Sequence, residues 1–493
     1  MTRATLSLKR LDARWIVVIA ATILGLAAVR WPVPAAAVCV ALIGAAIVAL
    51  VWSRLPSVAL TLVGVCLVGY AFLGRGFAYV GVPPLFIGEI SLGLGLLALW
   101  RVGRVHLVRT RPLLFALGVF LLIGLLNTVP YVGQYGINAL RDAAAWLYGL
   151  FAIVVATLVL QLGRFEGALR AFTRLLPWFL ALGPLGLVLF RLAGNAIPSW
   201  PMSGTPILAP KGGDIAVHLA GIGAFLLLGL HRAYATKLGT AGREWLWWAL
   251  WLIGCLSTFT GRAALVTVAV GVLVVMLVRP GRAWLKPLYL SLVLLTCGVA
   301  FDMKVNLGVD REVSVQGLLL NVESLRSNTG TDTRDGSRTW RLEWWNDIVN
   351  YTVFGPYFWT GKGYGINLAD ADGFQVTQDS SLRNPHSGHL MFLARSGVPG
   401  FVAWVGLQIA FAVSLVLAAL RARRAGQLRW ASINVFLLAY WAAFLTNAAF
   451  DVYLEGPQGG IWFWSVFGFG LAALELQRRS AWWNAATSER TGA

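Results

Sequence analysis

Residues 399–420 read Pro-Gly-Phe-Val-Ala-Trp-Val-Gly-Leu-Gln-Ile-Ala-Phe-Ala-Val-Ser-Leu-Val-Leu-Ala-Ala-Leu, and Arg421-Ala-Arg-Arg424 follows directly. An uncharged apolar stretch of this length can cross the ~30 Å hydrocarbon core of a bilayer as one α-helix. A cluster of arginines at its end is typical of the cytoplasmic side of a membrane. The stretch therefore predicts a transmembrane helix whose C-terminal end lies in the cytoplasm.

The same pattern recurs along the whole chain. Of the 493 residues, 58% are hydrophobic and 12% are charged, whereas a soluble globular protein is about half apolar and about a quarter charged. This composition excludes a soluble globular protein, and the high hydrophobicity excludes a disordered one. We predict an all-α polytopic membrane protein with about fourteen transmembrane helices. The predicted spans lie at 15–30, 33–53, 56–73, 85–100, 112–129, 143–161, 174–192, 214–231, 244–259, 262–279, 286–302, 399–420, 430–448 and 460–477.

One of these divisions needs an argument, because residues 244–279 could form a single long helix. In that case Arg262 would lie deep in the bilayer, where a charged side chain is costly. We therefore divide the stretch at Ser257-Thr-Phe-Thr-Gly-Arg262, which places Arg262 at the end of a span.

The basic residues predict the orientation of the spans. The chain has 40 Lys and Arg, 21 Asp and Glu, and a formal net charge of +19. With the N-terminus inside, the basic residues concentrate in the cytoplasmic loops and are sparse in the short outer connections. Both termini are then cytoplasmic. The positive charge accordingly indicates topology and contact with membrane lipids, and no nucleic-acid partner is expected.

These spans divide the chain into four regions. Residues 1–302 hold spans 1–11, residues 303–398 form one long extracytoplasmic segment, residues 399–477 hold spans 12–14, and residues 478–493 form a cytoplasmic tail. We expect the long segment to be a loop domain with amphipathic helices.

Three parts of the long segment have distinct patterns. Residues 326–337 are polar and predict a loop, and residues 338–350 predict an amphipathic helix at the membrane interface. Gly361-Lys-Gly-Tyr-Gly365 predicts a turn. Because no strand precedes these glycines, they are weak evidence for a phosphate-binding loop.

Five ionisable residues from distant parts of the chain are predicted to reach the same outer face, namely Arg141, Lys211, Arg262, Arg341 and His386. The planar fork of a guanidinium matches the oxygens of a phosphate. A histidine can take up a proton near neutral pH. Together these residue types predict a site for a phosphorylated anion.

The longest motif in this region is His386-Ser-Gly-His-Leu390-Met-Phe-Leu393-Ala-Arg-Ser-Gly397-Val-Pro-Gly400. It resembles a motif of the O-antigen ligase and polysaccharide polymerase superfamily, in which a His is followed by two leucines and by Gly-x-x-Gly. Ser387 stands where the family usually has Asn.

Weaker similarities extend from about residue 85 to residue 475. Arg341-Leu-Glu-Trp-Trp345 with the glycine-rich turn, and Thr260-Gly-Arg262-Ala, resemble further motifs of the family. Family members commonly have fewer spans than the fourteen predicted for this chain.

The resemblance implies a GT-C-like glycosyltransferase in the bacterial inner membrane, with its active site facing the periplasm. The donor would be a glycan linked to undecaprenyl pyrophosphate, and the acceptor a hydroxyl of a glycan or of a lipid-linked molecule. Transfer would be inverting and would need no metal or other cofactor. His386 would be the catalytic general base, and Arg262 and Arg341 would bind the pyrophosphate and stabilise its charge as it leaves.

Six further residues are candidates for contact with the pyrophosphate or the glycan: Arg141, Arg338, Lys211, Asp214, His389 and Trp345. Each also has a structural interpretation. Arg141 could pair with Asp142 at a helix end, and Lys211 could pair with Asp214. Arg338 could be a solvated loop charge, since its neighbours are polar.

The aromatic and histidine candidates have alternatives as well. Trp345 could stack on a sugar ring or pack against lipid. His389 lies one helical turn from His386, so the two could bind a metal, but no third ligand has suitable spacing and no metal site is predicted.

The ligase function has three alternatives. A polysaccharide polymerase of the same superfamily would use the same donor. A transporter or flippase of a lipid-linked anionic glycan should carry ionisable groups near mid-membrane in paired halves, which this sequence lacks. A peptidoglycan-type polymerase of the shape, elongation, division and sporulation class is expected to depend on an acidic residue and lacks this histidine spacing.

Overall fold

The computed structural model describes residue 44 and residues 52–103, 107–234, 241–259, 261–279, 281–306, 314–323 and 332–491. The predicted span at 15–30 and nearly all of that at 33–53 lie outside these residues, as do Thr260 and residues 324–331. Residues up to Val58 form a separate unit. The description below concerns the second unit, Ala59–Ala493, and the helix that leads into it.

Helices dominate the described chain. They are α1 Leu55–Leu73, α2 Ile87–Val102, α3 Arg111–Leu126, α4 Val129–Tyr135, α5 Ile137–Leu147, α6 Leu150–Gln161, α7 Phe165–Ala193, α8 Gly212–Leu227, α9 Leu230–Tyr234, α10 Ala241–Thr258, α11 Arg262–Val278, α12 Leu285–Ala300, α13 Val315–Glu323, α14 Asp332–Val353, α15 Leu368–Asp372, α16 Gly388–Arg424, α17 Leu428–Ala448 and α18 Pro457–Thr491. Two short strands, Gly81–Val82 and Leu85–Phe86, pair as an antiparallel hairpin. Each predicted span from 56–73 onward overlaps one helix or a consecutive pair, which confirms the helical class.

Six described helical segments are long and apolar enough to cross a membrane on their own: Trp52–Leu73, Arg111–Tyr135, Phe165–Ala196, Gly388–Arg424, Leu428–Ala448 and Pro457–Arg479. Helices α5 and α6 would form a seventh as one span with a 47° bend. Helices α8, α11 and α12 are apolar but shorter. These helices support a multi-pass membrane protein, while the count of fourteen spans and the orientation of the termini stay predictions.

The helix boundaries confirm one division and shift others. Helix α10 ends at Thr258 and α11 begins at Arg262, as the cost of a buried arginine predicts. Helix α14 begins at Asp332, so the loop predicted for 326–337 is wrong for its described part. Polarity alone misled there, because an exposed helix can be polar along most of its surface.

Helix α16 begins eleven residues before the predicted span at 399–420, at Gly388. The side chain of Ser387 caps it by accepting a hydrogen bond from the Leu390 N–H, which is a typical role of serine at a helix start. At the other end of the chain, α18 runs past residue 477 to Thr491.

Helix α16 is broken at Gly397, whose φ is +64°. Pro399 has no N–H, and its ring displaces the carbonyl of Arg395 from the helical pattern. The carbonyl of Ala394 and the N–H of Val398 also lose their helical partners across the break. Buried backbone groups of this kind need other hydrogen-bond partners. Another segment must therefore pair with the break.

The segment 357–365 supplies those partners. The N–H of Lys362 donates to the carbonyl of Ala394 at 2.8 Å, and the N–H of Gly363 donates to the carbonyl of Arg395 at 3.1 Å. The carbonyl of Phe358 accepts from the freed N–H at 2.8 Å. The predicted glycine-rich turn is thus confirmed, and it is attached through its backbone to the break in α16.

Glycine is required in this turn for two reasons. Gly361 and Gly363 have φ values of +62° and +78°, which other residues adopt only at a cost. A Cβ atom on Gly361 would also lie 2.4 Å from the carbonyl carbon of Arg395, and one on Gly363 would lie 2.1 Å from the ring of Tyr131. Close backbone approach therefore explains the glycine spacing.

Small residues also allow the membrane helices to approach one another. A Cβ atom on Gly468 of α18 would lie 2.5 Å from the carbonyl oxygen of Ala152 in α6. One on Gly271 of α11 would lie 2.9 Å from the methyl group of Ala220 in α8. Close packing at small residues is the main source of helix association within lipid.

The long segment between α12 and α16 has a small hydrophobic core of its own. Trp344 of α14 is fully buried there with Ile348 and Leu368, and its ring stacks on Phe374 with the centroids 5.4 Å apart. The indole N–H of Trp344 donates to Asp372 at 2.6 Å. This core fixes the position of α14 against the first turns of α16.

We expect Gly361→Ala to destabilise the protein more than Gly373→Ala. Both positions have positive φ, so at both an alanine must adopt a left-handed backbone conformation, which costs ~1–2 kcal/mol. A Cβ on Gly373 would meet nothing within 4 Å, whereas one on Gly361 would collide with the backbone of α16. Thermal unfolding of the purified full chain in detergent measures the difference, and equal losses would contradict the proposed attachment of the turn to α16.

Candidate active site

The backbone of His386 has a φ of +50°, in the left-handed region that a histidine seldom adopts. Such a conformation costs of the order of 1–3 kcal/mol and persists only where surrounding contacts enforce it. His386 lies in the segment 383–387, which leads into α16. Successive residues of this segment are held by different elements.

Two side chains anchor the start of the segment. Arg383 donates to the carboxylate of Asp142 in α5 at 3.0 Å. The amide of Asn384 donates to Glu455, in the loop between α17 and α18, at 2.9 Å. Both anchors precede His386 by no more than three residues, so they restrict its backbone directly.

A third anchor comes from α14. The indole N–H of Trp345 donates to the carbonyl of Pro385 at 2.7 Å. The indole N–H of Trp345 thus holds the residue before His386, and the predicted contact of its ring with a sugar stays a prediction. Because Ser387 also caps α16, the residues on both sides of His386 in the chain are held in place.

The side chain of His386 faces a carboxylate. Its Nδ1 lies 3.9 Å from Oδ1 of Asp451, which is an ion-pair contact rather than a direct hydrogen bond. The other carboxylate oxygen accepts from the Lys211 ammonium at 2.9 Å. The ring of Trp340 packs edge-on against the imidazole, with the centroids 5.9 Å apart.

Asp451 is mostly shielded, with 22% of its side chain exposed. Burial raises its pKa, but the contacts with His386 and Lys211 outweigh burial and hold the pKa well below its usual range. The carboxylate is therefore ionised at neutral pH. An ionised partner beside Nδ1 favours a proton on that nitrogen, which makes Nε2 the basic atom of the ring.

Arg341 lies close to Asp451, the carboxylate that His386 faces, and Arg262 lies close to Arg341. Nη1 of Arg341 donates to the carbonyl of Phe450, the residue before Asp451, at 3.3 Å. Burial lowers the pKa of Arg341, Asp451 opposes that effect, and the positive charge of Arg262 adds to the lowering. Arg262 and Arg341 are thus close enough to repel each other, and an anion bound between them would relieve that repulsion.

Arg141 belongs to a second group of charges, centred on Asp142. Besides Arg383, this carboxylate pairs with the fully buried Arg395 at 3.1 Å and accepts from the N–H of Gly365 at 3.1 Å. Arg141 itself is 60% exposed, with Nε 3.8 Å from Asp142. The alternative pairing of Arg141 with Asp142 is therefore present, and its exposed guanidinium remains accessible to a ligand.

The structure does not favour the predicted substrate contact of His389. Its Nδ1 accepts from the indole N–H of Trp404 at 3.1 Å, and its Nε2 lies 3.0 Å from the carbonyl of Leu445. An indole N–H can only donate, so Nδ1 is the acceptor and Nε2 carries the proton. Neither nitrogen is left for a substrate or a metal.

The same applies to Asp214. Both its carboxylate oxygens are buried and make no hydrogen bond within the described part of the chain. Asp214 is buried in the first turn of α8 and lies within electrostatic range of Lys211 and Asp451. Lys211 pairs with Asp451 rather than with Asp214. Arg338 is half-buried one turn before Arg341 on α14, and its predicted contact stays a prediction.

The glycine-rich turn has no free backbone donors for a phosphate. The N–H groups of Lys362 and Gly363 bond to α16, and those of Gly361 and Tyr364 bond to the carbonyls of Tyr357 and Asn127. The N–H of Gly365 bonds to a carboxylate, as described above. No group of three His, Cys, Asp or Glu side chains in the described ranges could hold a metal ion.

Sequence reasoning gave too little weight to the residues that position His386. From the sequence, Asp451 could be a solvated loop carboxylate or could orient a catalytic residue, and Asn384, Arg395 and Glu455 had no assigned role. Lys211 and Asp451 are 240 residues apart in the chain, so no local pattern links them. The available signal was the concentration of charges between the last two spans.

Glu455 makes the stability of this site depend on pH. Burial raises the pKa of its carboxyl from 4.5 to about 7, although Arg395 and the Asn384 amide lower it. The folded protein therefore holds this proton more tightly than the unfolded chain does. The resulting stabilisation is complete below pH 4.5 and is lost as the pH rises through about 7.

We expect the free energy of unfolding of the wild type to fall across that pH range relative to a Glu455→Gln variant, which cannot ionise. One proton limits the slope of the difference to about 1.4 kcal/mol per pH unit. Thermal unfolding of both proteins at a series of pH values measures it. Parallel pH profiles would show that Glu455 titrates normally.

The chain is similar to a known family over part of its length. Residues 247–405 match the family model described as O-antigen ligase, and the matched range includes Arg262, Arg341 and His386. No curated protein sequence matches the chain. The family match supports a membrane enzyme of the glycosyltransferase type. It supports membership of the O-antigen ligase and polysaccharide polymerase superfamily.

Proposed function

We propose that the protein transfers a glycan from an undecaprenyl-pyrophosphate donor to a hydroxyl of an acceptor glycan or lipid-linked molecule. One observation supports this proposal. His386 faces an ionised carboxylate that lies close to Arg341, and Arg341 and Arg262 are close enough to repel each other. A base near two guanidinium groups suits a reaction that deprotonates an alcohol and releases a phosphate.

The two arginines would hold the pyrophosphate of the donor. A guanidinium can form two parallel hydrogen bonds to phosphate oxygens, and Arg262 and Arg341 are partly buried, where such bonds are strong. Negative charge develops on the pyrophosphate as its bond to the sugar breaks. Stabilisation of such a developing charge is usually the largest contribution to catalysis. Arg141 and Lys211 are exposed cations that would extend this binding surface.

His386 would activate the acceptor. Its Nε2 takes the proton of the acceptor hydroxyl, and the hydroxyl oxygen forms a bond to the anomeric carbon. On the opposite face of the sugar, the carbon–oxygen bond to the pyrophosphate breaks, and the pyrophosphate leaves with the electron pair. A single displacement inverts the anomeric configuration, and the ionised Asp451 stabilises the imidazolium that forms. No step in this proposal needs a metal or another cofactor.

The location of these groups favours a transferase over a transporter. His386 and Asp451 lie in connecting segments, Lys211 precedes α8, and Arg262 is the first residue of α11. A transporter site is expected near the middle of broken spans instead. The positive-inside distribution would place this end of the helices on the periplasmic side of the inner membrane.

We expect His386→Ala to lower the rate of glycan transfer by about 10²–10⁴-fold, because general-base catalysis is typically worth that much. Arg262→Lys should also lose most activity, since an ammonium cannot reproduce the planar fork. Transfer is measured with the purified full chain and a lipid-linked donor. Product length separates a ligase, which adds one preformed glycan, from a polymerase, which yields a ladder.

Glu343→Ala is a suitable control, because Glu343 is an exposed carboxylate on α14 and should retain wild-type rates. All variants should reach the membrane in normal amounts. A His386→Ala protein with a wild-type rate would refute the role of the base, and a fully active Arg262→Lys protein would refute the bidentate contact.

A further inference from the structure

The end of α10, from which the chain turns towards Arg262, is held by an arginine that the proposed function does not use. Arg191 lies in the last turn of α7 and is half-buried. Its Nη1 donates to the carbonyl of Ser257, in the last turn of α10, at 2.8 Å. Ser257 lies five residues before Arg262, so this contact fixes the backbone close to the start of α11.

The carbonyl of Ser257 needs a partner from outside its helix. The last four carbonyls of an α-helix have no partner within it, and Ser257 is buried. The N–H groups of Phe259 and Gly261 bond to the other three carbonyls at this end of α10. The guanidinium of Arg191 bonds to the remaining one, and a cation is favourable at the negative end of a helix.

The same guanidinium lies against the start of α8. A Cβ atom on Gly212, the first residue of that helix, would lie 3.2 Å from Nη2 of Arg191 and 3.6 Å from the carbonyl oxygen of Thr258. The backbone of α8 therefore approaches both the arginine and the end of α10 at this point. Lys211 directly precedes Gly212. Arg191 thus lies where two segments that carry cations of the candidate site meet.

Helix α7 is itself packed closely against α10. A Cβ atom on Gly254 of α10 would lie 2.9 Å from the ring of Pro184 in α7. Pro184 and Arg191 are seven residues apart, which is about two turns, so they lie on one side of α7. Arg191 therefore reaches Ser257 from a helix whose position beside α10 is already fixed.

We propose that Arg191 is a positioning residue for the pyrophosphate of the donor. By holding the end of α10 against the start of α8, it sets the position of the Arg262 guanidinium relative to the Lys211 ammonium. The inference rests on the proposed function, because it requires these cations to bind the pyrophosphate. Hydrogen bonds to phosphate oxygens depend on distance and angle, and a misplacement of about 1 Å can cost about a hundredfold in rate.

The test measures binding of farnesyl pyrophosphate, a short polyprenyl pyrophosphate, to the purified full chain by isothermal titration calorimetry. We expect Arg191→Ala to weaken the affinity by about tenfold, since a misplacement below 1 Å should cost less than a hundredfold. Arg191→Lys keeps the charge but lacks the planar fork, so a smaller loss is expected. The lysine variant separates loss of position from loss of charge, and it keeps the test decisive where the alanine variant fails to fold.

A double-mutant cycle shows whether Arg191 acts through Arg262. In an Arg262→Ala protein, either substitution of Arg191 should weaken the affinity no further. A direct contact between Arg191 and the pyrophosphate would instead give losses that multiply. A purely structural contact would lower the fraction of protein that binds without changing the affinity of the rest. Either of these results would overturn the inference.

Arg279→Ala is the matched control. Arg279 donates to the carbonyl of Leu428, the first residue of α17, at 3.0 Å. It follows the last residue of α11 and so lies at the opposite end of that helix from Arg262. The control removes the same kind of contact between an arginine and a helix carbonyl, and its affinity should equal that of the wild type.

The outcomes separate the positioning role from the proposed function. A wild type that binds the pyrophosphate but transfers no glycan would refute the transfer and leave the positioning role in place. A wild type that binds no pyrophosphate would overturn both. Equal affinity of the wild type and both Arg191 variants would overturn the positioning role alone, and so would an Arg279→Ala protein that loses as much affinity as Arg191→Ala.

Discussion

The break in α16 is the constraint on which the rest of this region depends. Pro399 and Gly397 interrupt the helix and leave backbone groups without their helical partners, inside a packed region where such groups must be paired. Phe358, Lys362 and Gly363 pair with them at 2.8–3.1 Å. A Cβ atom on Gly361 would collide with the backbone of α16 at this approach. The glycine-rich turn at 361–365 and the Gly397-Val-Pro-Gly400 motif are separated in the sequence. Together they thus form one joint between the loop segment and the long apolar helix α16.

This joint carries the groups around His386. The turn brings Gly365 to Asp142, which also binds Arg383 and the buried Arg395. These partners compensate for the water that the buried carboxylate loses on folding. Since Arg383 is bound here, the segment before α16 is held, and the unfavourable backbone of His386 is enforced. The strain at His386 and the buried charges at Asp142 therefore belong to one arrangement.

Some of this was predictable from the sequence. Apolar runs predicted the positions of the long apolar helices, and the cost of a buried arginine correctly divided α10 from α11. The residues that hold His386 were harder to predict, because Asp142 and Arg383 are 241 residues apart. Contacts between distant segments leave no local spacing to detect. Trp345 and His389 are among the candidates for substrate contact. In the structure, the hydrogen bond of Trp345 positions Pro385, and those of His389 join it to Trp404 and Leu445.

The binding of the donor can be seen in an electron cryo-microscopy structure of the full chain in a lipid nanodisc with a polyprenyl pyrophosphate bound. We expect the diphosphate between the guanidinium groups of Arg262 and Arg341, with Nε2 of His386 facing the attached carbon and Nδ1 facing Asp451. A diphosphate bound away from both arginines, or an imidazole turned away from it, would refute the proposed mechanism.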